Sequence, residues 1–317
     1  MKKENAGKML ALVMASATLL SVTALYQTPY SYAKDSNVDG SSSATEDLER
    51  NGGGYAVSHQ LRDVGYATKL YDATNGLPTS DANCILAASD GYIWIGSYGG
   101  IIKYDGTNFE RLDSSDGLTN GKALFEDSKG RIWVGTNDNG IVVIDGEDHI
   151  QITYKEGLPS SSIRSFAEDS YGDIFVGTTG GICSIDEDFN VVALEDDRLK
   201  DEYITRLYTD SKDRIVGNTR DGDVFVINND SVTNFYLSTD IIEGTVSTIY
   251  PDSEAEDEFY IGSDTGVLYH GSLSDDFSDL QYIDLSDYLT RIANVTYACK
   301  RLWVISDDQV GYLDAKK

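Results

Sequence analysis

Asn75-Gly76-Leu77-Pro78, Ile93-Trp94-Ile95-Gly96, Gly99-Gly100-Ile101 and Tyr104-Asp105-Gly106 form a series that the chain writes three times. It returns as Asp116-Gly117-Leu118, Ile132-Trp133-Val134-Gly135 and Ile144-Asp145-Gly146, then as Glu156-Gly157-Leu158-Pro159, Ile174-Phe175-Val176-Gly177, Gly180-Gly181-Ile182 and Ile185-Asp186. The glycine of the Gly-Leu element moves from 76 to 117 to 157, steps of 41 and 40 residues, the period of a four-stranded propeller blade. Arg214-Ile215-Val216-Gly217, Phe259-Tyr260-Ile261-Gly262 and Leu302-Trp303-Val304 continue the register more weakly, so six copies can be counted, the last incomplete.

Within a copy the pattern predicts an apolar inner strand such as Ile163 to Ala167, the turn Asp169-Ser170-Tyr171-Gly172, and a second strand carrying the aromatic-Val-Gly run. A Gly-rich hairpin, a third strand ending at Asp105, Asp145 or Asp186, and a fourth such as Gln151 to Lys155 complete it. Tyr66 to Tyr71 directly precedes the first Gly-Leu-Pro and takes a fourth-strand position with no strands before it. Ile292 to Ala298, Arg301 to Ser306 and Val310 to Asp314 supply only strands one to three of the last copy. The two deficits are complementary. The expected fold is all-β, a β-propeller of six four-stranded blades closed by the N-terminal strand, which leaves no open sheet edge; the alternative is part of a seven-bladed ring.

Lys2-Lys3 through Lys8, an apolar run from Met9 to about Tyr26, and Ser31-Tyr32-Ala33 have the three parts of a secretory signal peptide, with cleavage expected after Ala33 and an uncleaved anchor as the alternative. The expected division is therefore a signal peptide over 1–33, a flexible Gly/Ser-rich linker over 34–64 and the propeller over 65–317. Localisation follows: secreted, or on the outer face of the membrane, with no membrane insertion after cleavage. The net charge of -28 becomes -30 without the leader, because three Lys and one Glu leave with it. Such a charge argues against nucleic-acid partners and keeps an exported protein soluble.

Cys84, Cys183 and Cys299 sit at non-equivalent places and make no disulfide framework, and with no Cys-x-x-Cys and with His59, His149 and His270 scattered, no metal or other cofactor is expected. The Asp-Ser-x-Gly turns at 127–130 and 169–172 offer too few oxygens each for calcium and read as turns.

The repeats resemble the two-component regulator propeller repeat, found in the extracellular sensor regions of bacterial histidine kinases and diguanylate cyclases. The resemblance covers residues 66 to 317 and is carried most clearly by Asp-Ser-Lys-Gly-Arg-Ile-Trp-Val-Gly-Thr at 127–136. It implies a sensor role and carbohydrate or its breakdown products as ligand. In such receptors a second propeller, a Tyr-rich sandwich, a membrane span and an output module commonly follow, and none is present in this sequence.

Trp94, Trp133, Phe175, Tyr260 and Trp303 share one second-strand position, with Ile215 expected there in the fourth copy, and read as blade-packing core. The inner-strand position held by Arg164 is held by Asn83, Lys122, Thr205 and Ser247 in other copies, a polar ring expected at the channel mouth. Hairpin residues Tyr98, Asn137, Asp138, Arg220, Asp221 and Asp264, with loop residues Asn120, Ser161 and Tyr203, vary around it on a constant scaffold, which is how a repeat protein builds an asymmetric face. No catalytic residue stands out, since His149 and His270 fall toward the opposite rim. The expected function is ligand binding in an extracellular bacterial sensor, with a small molecule, a glycan or a membrane signalling protein as partner. A secreted protein-interaction propeller and a propeller hydrolase or lyase are the alternatives.

Overall fold

The computed structural model describes residues 9–14, 21–26 and 67–314, apart from 75, 80, 113–116, 274–276, 278–279, 299–300 and 308. β1 (Met9–Met14), β2 (Ser21–Tyr26) and β3 (Ala67–Tyr71) form an antiparallel three-stranded sheet in that order. Blade 1 is β4 (Cys84–Ala87), β5 (Ile93–Ser97), β6 (Gly100–Tyr104) and β7 (Phe109–Arg111). Blade 2 is β8 (Gly121–Glu126), β9 (Ile132–Thr136), β10 (Ile141–Asp145) and β11 (Asp148–Ile152). Blade 3 is β12 (Ile163–Glu168), β13 (Ile174–Thr178), β14 (Gly181–Ile185) and β15 (Val191–Ala193). Blade 4 is β16 (Ile204–Thr209), β17 (Ile215–Thr219), β18 (Val224–Asn228) and β19 (Ser231–Tyr236). After the one-turn helix α1 (Ser238–Ile241), blade 5 is β20 (Val246–Pro251), β21 (Glu258–Ser263), β22 (Val267–Ser272) and β23 (Gln281–Asp284). Blade 6 is β24 (Asn294–Ala298), β25 (Arg301–Ile305) and β26 (Val310–Asp314).

Every blade is an antiparallel meander whose strands pair in chain order, and each inner strand lies against the next, from β4 and β8 through to β20 and β24. The six-bladed propeller read from the repeats is the architecture. Its closing strand is not where the complementary ends place it. β3 pairs with β2, Tyr71 opposite Val22, rather than with β26, so blade 6 has three strands among the described residues. The reason is local: β2 offers β3 a full antiparallel partner, which satisfies its backbone groups without the last blade. β1 and β2 lie within the stretch expected as an export signal, and β1 sits beside β4 as a further inner strand. The expected linker over 34–64 lies outside the described residues.

Second strands β5, β9, β13 and β17 are buried along their whole length, because both faces of a blade are covered by neighbours. Outer strands such as β23 are exposed throughout. The core therefore consists of seams shared by adjacent blades. Trp133 of blade 2 packs with Ile163, Phe166 and Val176 of blade 3, while Phe175 of blade 3 packs with Leu207, Ile215 and Phe225 of blade 4. Trp94, Trp133 and Phe175 lie buried in these seams and Tyr260 partly so, while Trp303 is buried against Ile305, Val310 and Tyr312 of its own blade. In the fourth blade the slot belongs to Val216 and not to Ile215: Asp210 precedes Arg214 by the same interval that separates Asp127 from Arg131, which aligns Ile215 with Ile132 and Val216 with Trp133.

The seam is closed by the glycine after the aromatic-Val pair. A Cβ on Gly135 would lie 2.6 Å from Ile163 Cγ2, one on Gly177 2.8 Å from Ile204 Cγ2, and one on Gly262 2.6 Å from Ile292 Cγ2. Each of these isoleucines is buried at the entry to the next blade. At the other end of the first three seams, the serine of the turn after the inner strand reaches the neighbouring blade. The amide of Ser128 donates to Glu168 Oε2 at 2.7 Å and its hydroxyl to Oε1 at 2.6 Å; the amide of Ser89 donates to Glu126 Oε2 at 2.8 Å and that of Ser170 to Asp213 Oδ1 at 2.7 Å. The turns that resemble calcium loops are inter-blade ties.

The first residue of the turn has its own task. Asp127 is buried and accepts from Trp133 Nε1 at 2.8 Å, from Arg131 Nε at 2.6 Å and from the Arg131 amide at 2.8 Å. Blade 1 carries Ala88 at this place, and Trp94 Nε1 accordingly has no hydrogen-bond partner among the described residues. Burial alone would raise the Asp127 pKa, but the bonds from Trp133 and Arg131 and the guanidinium charge outweigh it and hold the carboxyl below its ordinary value. Asp169 in blade 3 lacks both donors, facing Phe175 and followed by Asp173, and burial pushes its carboxyl up.

Two outcomes follow for stability. Gly135→Ala should lower the unfolding free energy by about 1–3 kcal/mol in a urea titration, because Ile163 is a β-branched buried neighbour with little room to yield. Asp127→Asn should cost roughly 3 kcal/mol at pH 7, since it leaves buried Arg131 without its counter-charge. The folded-state pKa of Asp127 lies below the unfolded value of about 3.9, so its contribution is complete above that pH and disappears as the pH falls through the folded value. The difference between wild type and variant should therefore shrink below about pH 4. A difference that persists unchanged into acid would contradict this assignment.

Candidate ligand-binding site at the channel mouth

Pairing between the first and second strands skips one residue at the same place in four blades: between Gly121 and Ala123, Ile163 and Ser165, Ile204 and Arg206, and Val246 and Thr248. The residues left over are Lys122, Arg164, Thr205 and Ser247. A bulge turns the extra side chain out of the alternation of the strand, and here it points four polar groups away from the seams. In blade 1 the Asn83 amide donates to Gly96 O at 2.7 Å just before β4 begins, opposite the same carbonyl residue that Cys84 faces.

These side chains meet in a cavity of about 320 Å³ lined by Lys122, Asn137, Arg164, Tyr203, Thr205, Arg206, Ser247, Arg291 and Ala293. Blades 2 to 5 and the entry to blade 6 all contribute. Arg164 is the hub of one wall: its Nε donates to Tyr203 Oη at 2.6 Å, one terminal nitrogen to Asn137 Oδ1 at 2.8 Å and the other to Ile163 O at 2.9 Å. Lys122 Nζ donates to Asn83 Oδ1 at 3.0 Å, and Asn83 Nδ2 donates to Gly121 O at 2.9 Å. The Thr205 hydroxyl donates to Asn218 O at 3.0 Å, and the Ser247 hydroxyl faces Gly262 O at 3.0 Å and Ile292 O. Deeper in the channel, Tyr208 Oη approaches Asn294 Oδ1 of blade 6 at 3.5 Å.

Six of the residues singled out in the sequence line this cavity: Lys122, Asn137, Arg164, Tyr203, Thr205 and Ser247. The others stand outside it. Asn83 orients Lys122; Asp138 accepts from Asn137 Nδ2 at 2.9 Å and from Asn120 Nδ2 at 3.2 Å. Arg220 places its guanidinium 5.4 Å from the Tyr203 ring centroid, on which Arg164 also lies at 5.3 Å. Asp264 accepts from the Thr245 amide at 2.9 Å, and Ser161 O accepts from the Gly140 amide at 3.0 Å. Tyr98 and Asp221 are exposed on their hairpins and are not part of the lining. Arg206, Arg291 and Ala293 are the lining residues not singled out. Arg206 follows the bulge, and its signal was present: an arginine inside the apolar run Ile204 to Tyr208 of a chain with few bases.

The electrostatics of the cavity are opposite to those of the chain. Lys122, Arg164, Arg206 and Arg291 line it, and no carboxylate does. Burial, and then repulsion from Arg164, hold Lys122 below its ordinary pKa, with Asp81 and Asp138 opposing. Beneath them, burial pushes the Cys84 thiol up to about 12 despite the fields of Lys122 and Arg206. Buried Cys183 is likewise pushed to about 12, and both are free thiols; Cys299 lies outside the described residues.

One titratable cluster lies elsewhere. His270 Nε2 is 2.9 Å from Asp252 Oδ2 and 3.2 Å from Glu258 Oε2, with Tyr260 stacked on the imidazole at 4.3 Å between centroids. The three donor atoms lie within 4.8 Å of one another, so His270 is less isolated than its sequence position implies. Asp252 follows the far end of β20 from Ser247, roughly 16 Å along the strand, so the cluster is remote from the cavity. His149 lies on outer strand β11, opposite Ile144.

The fold is a β-propeller with a polar pocket at its channel mouth, built by bulges in successive blades. The sequence model described as two component regulator propeller matches residues 76–99, 118–138 and 157–180, in the first three repeats. Among solved structures, it is similar to the extracellular domain of a protein assigned to a hybrid two component system of B. thetaiotaomicron, with 22% identity, TM-score 0.59, and coverage of 70% of this chain and 31% of that one. A second extracellular domain from the same organism, assigned to a one component system, has 18% identity, TM-score 0.63, and coverage of 78% and 36%. The chain thus spans about a third of the length of these domains. Virginiamycin B lyase from Staphylococcus aureus shares 11% identity at TM-score 0.64, covering 98% of this chain and 100% of that one. At these identities the likeness is one of fold. No curated protein matches the chain, and no helix among the described residues is long and apolar enough to cross a membrane.

With thiol pKa values near 12, roughly one part in ten thousand of Cys84 and Cys183 is thiolate at pH 8. A thiol-specific reagent at that pH should leave both unmodified in the native protein and label both after unfolding, as read by peptide mapping. Rapid native labelling of Cys84 would show that the channel floor is open to solvent.

Proposed function

We propose that this chain is an exported ligand-binding sensor module of a bacterial signalling system, its ligand seated in the channel mouth and belonging to the carbohydrates or their breakdown products. The observation that carries the reading is the conversion of the same bulge in successive blades into one polar cavity, in which the framework repeats and the presented side chain changes. A volume of about 320 Å³ suits a small molecule or one to two sugar rings rather than a protein segment. The repeat family and the extracellular domains that share the fold support a sensing role over catalysis, and the histidine-carboxylate cluster stands away from the cavity. Export by the N-terminal leader belongs to the same proposal, and its cleavage would remove β1 and β2 from β3.

Calorimetric titration of the full chain with a panel of mono- and disaccharides and their oxidised or phosphorylated derivatives is the direct test. At least one should bind at a single site and lose tenfold or more in affinity when Thr205 is replaced by Val or Tyr203 by Ala. Absence of binding across the panel, with turnover of a substrate or capture of a protein partner instead, would sink the sensor reading. N-terminal sequencing of exported protein should begin at Lys34.

A further inference from the structure

We infer that the channel-mouth cavity is a site for a small multianionic ligand, one carrying at least two carboxylate, phosphate or sulfate groups. This rests on reading that cavity as the ligand site and narrows the class of ligand it takes. Four cations from four different blades or blade entries converge there, Lys122, Arg164, Arg206 and Arg291, and no carboxylate lines the space. In a chain with 53 acidic and 25 basic residues this is the reverse of the overall balance. Elsewhere several bases are paired at close range: Arg131 with Asp127, Arg198 with Asp196, Arg214 with Asp210 and Asp257, each at 2.6 Å or less. Within the cavity, among the described residues, only Arg291 has an acidic partner, Asp307 at 3.6 Å.

The donors remain available. The Arg206 guanidinium makes no hydrogen bond or ion pair among the described residues, Lys122 commits one hydrogen of three to Asn83, and Arg164 commits three of its five. Acceptors are fewer than donors. Asn137 Oδ1 and Tyr203 Oη each already accept from Arg164, and Thr205 Oγ1 already accepts from Asn218 Nδ2, while the Thr205 and Ser247 hydroxyls, their hydrogens given to backbone carbonyls, keep only lone pairs. A neutral sugar presents hydroxyls that need acceptors as well as donors, whereas an oxyanion needs donors alone. The lining therefore matches an anion better than a polyol. The repulsion and burial that make Lys122 easier to deprotonate point the same way, because a bound anion would relieve both. More than one anionic group is implied because the free charges come from separate blades around the opening rather than from one side.

The test uses the full chain and four probes of known charge: citrate for carboxylates, pyrophosphate for phosphates, a disulfated disaccharide for sulfates and the unsulfated disaccharide as neutral control. Calorimetry should find saturable one-site binding for at least one anionic probe. Its affinity should fall tenfold or more in Arg206→Ala and in Lys122→Met, recover in part in Arg206→Lys, and fall between 50 and 300 mM salt. The probe that binds identifies the source of the anion. Thermal unfolding midpoints within a few degrees of wild type would show that the variants remain folded, and Arg206→Gln serves if Arg206→Ala does not. Binding of no anionic probe, or binding indifferent to both Arg206→Ala and Lys122→Met, would overturn the inference. Tight binding of the neutral disaccharide that is lost in Thr205→Val would overturn it too while leaving the sensor reading intact. Failure of all four probes together with the wider saccharide panel would remove both.

Discussion

The close approach of one blade's second strand to the entry of the next blade's inner strand is the contact on which the rest of the molecule depends. It requires a residue without a side chain at Gly135, Gly177 and Gly262 and a buried isoleucine opposite, Ile163, Ile204 or Ile292. A propeller blade has no core of its own: both faces of its second strand are apolar, and they are covered only by stacking. A few tenths of an ångström at each seam therefore propagate around the ring. The aromatic two residues earlier fills the wide part of the same seam, and the Ser to carboxylate ties close its outer end. Packing, glycine and tie recur together because they are three parts of one joint.

The same joint places the functional surface. To bring Ile163 or Ile204 against the glycine, the inner strand enters at an angle that the regular ladder does not accommodate, and one residue is left unpaired immediately after it. That residue cannot turn into the seam, which is full. It turns into the channel. Scaffold and cavity lining are thus separated by a single position in sequence: Ile163 and Ile204 are buried packing groups, while the next residues, Arg164 and Thr205, differ between blades. The isoleucine sets the angle and its neighbour lines the cavity, so substitutions at the second can change the lining without touching the joint.

The repeat made the propeller, its strand order and the polar ring legible, because each depends on residues two to four apart in a strand whose type is unmistakable. What it left unread depends on longer range. The pairing of β3 with β2 was hidden because a five-residue strand can be completed by any free edge, and sequence complementarity between Tyr66 to Tyr71 and the last blade does not exclude a nearer partner. The slot of Val216 was misplaced by one because Gly217 imitates the seam glycine, while the real counterpart, Asn218, is a buried amide bonded to Thr205 and to Thr219 O. Arg206 and Arg291 escaped because they precede or follow the ring position and enter the cavity only through the curvature of the array. Tyr98 and Asp221 were attractive for the opposite reason: they vary between copies, yet their hairpins carry them outward.

The contrast between a chain of net charge -28 and a cavity lined by four cations is physically consistent. Most of the acidic excess sits on exposed turns and outer strands, where water and salt screen it beyond about 8 Å at physiological ionic strength. Inside the channel mouth, low-dielectric walls remove that screening and the nearest charges dominate. The outer field acts on the approach of a ligand and the lining acts on its retention. For an anion the first is unfavourable and the second favourable, so added salt has opposite effects on the two steps: it eases arrival and weakens hold. For the anion inferred above, selectivity would reside in the short-range fork geometry of Arg164 and Arg206, which distinguishes a planar or tetrahedral oxyanion from a diffuse negative charge, and not in the overall sign of the protein. A cationic pocket in an acidic shell would keep only those anions that satisfy several donors at once.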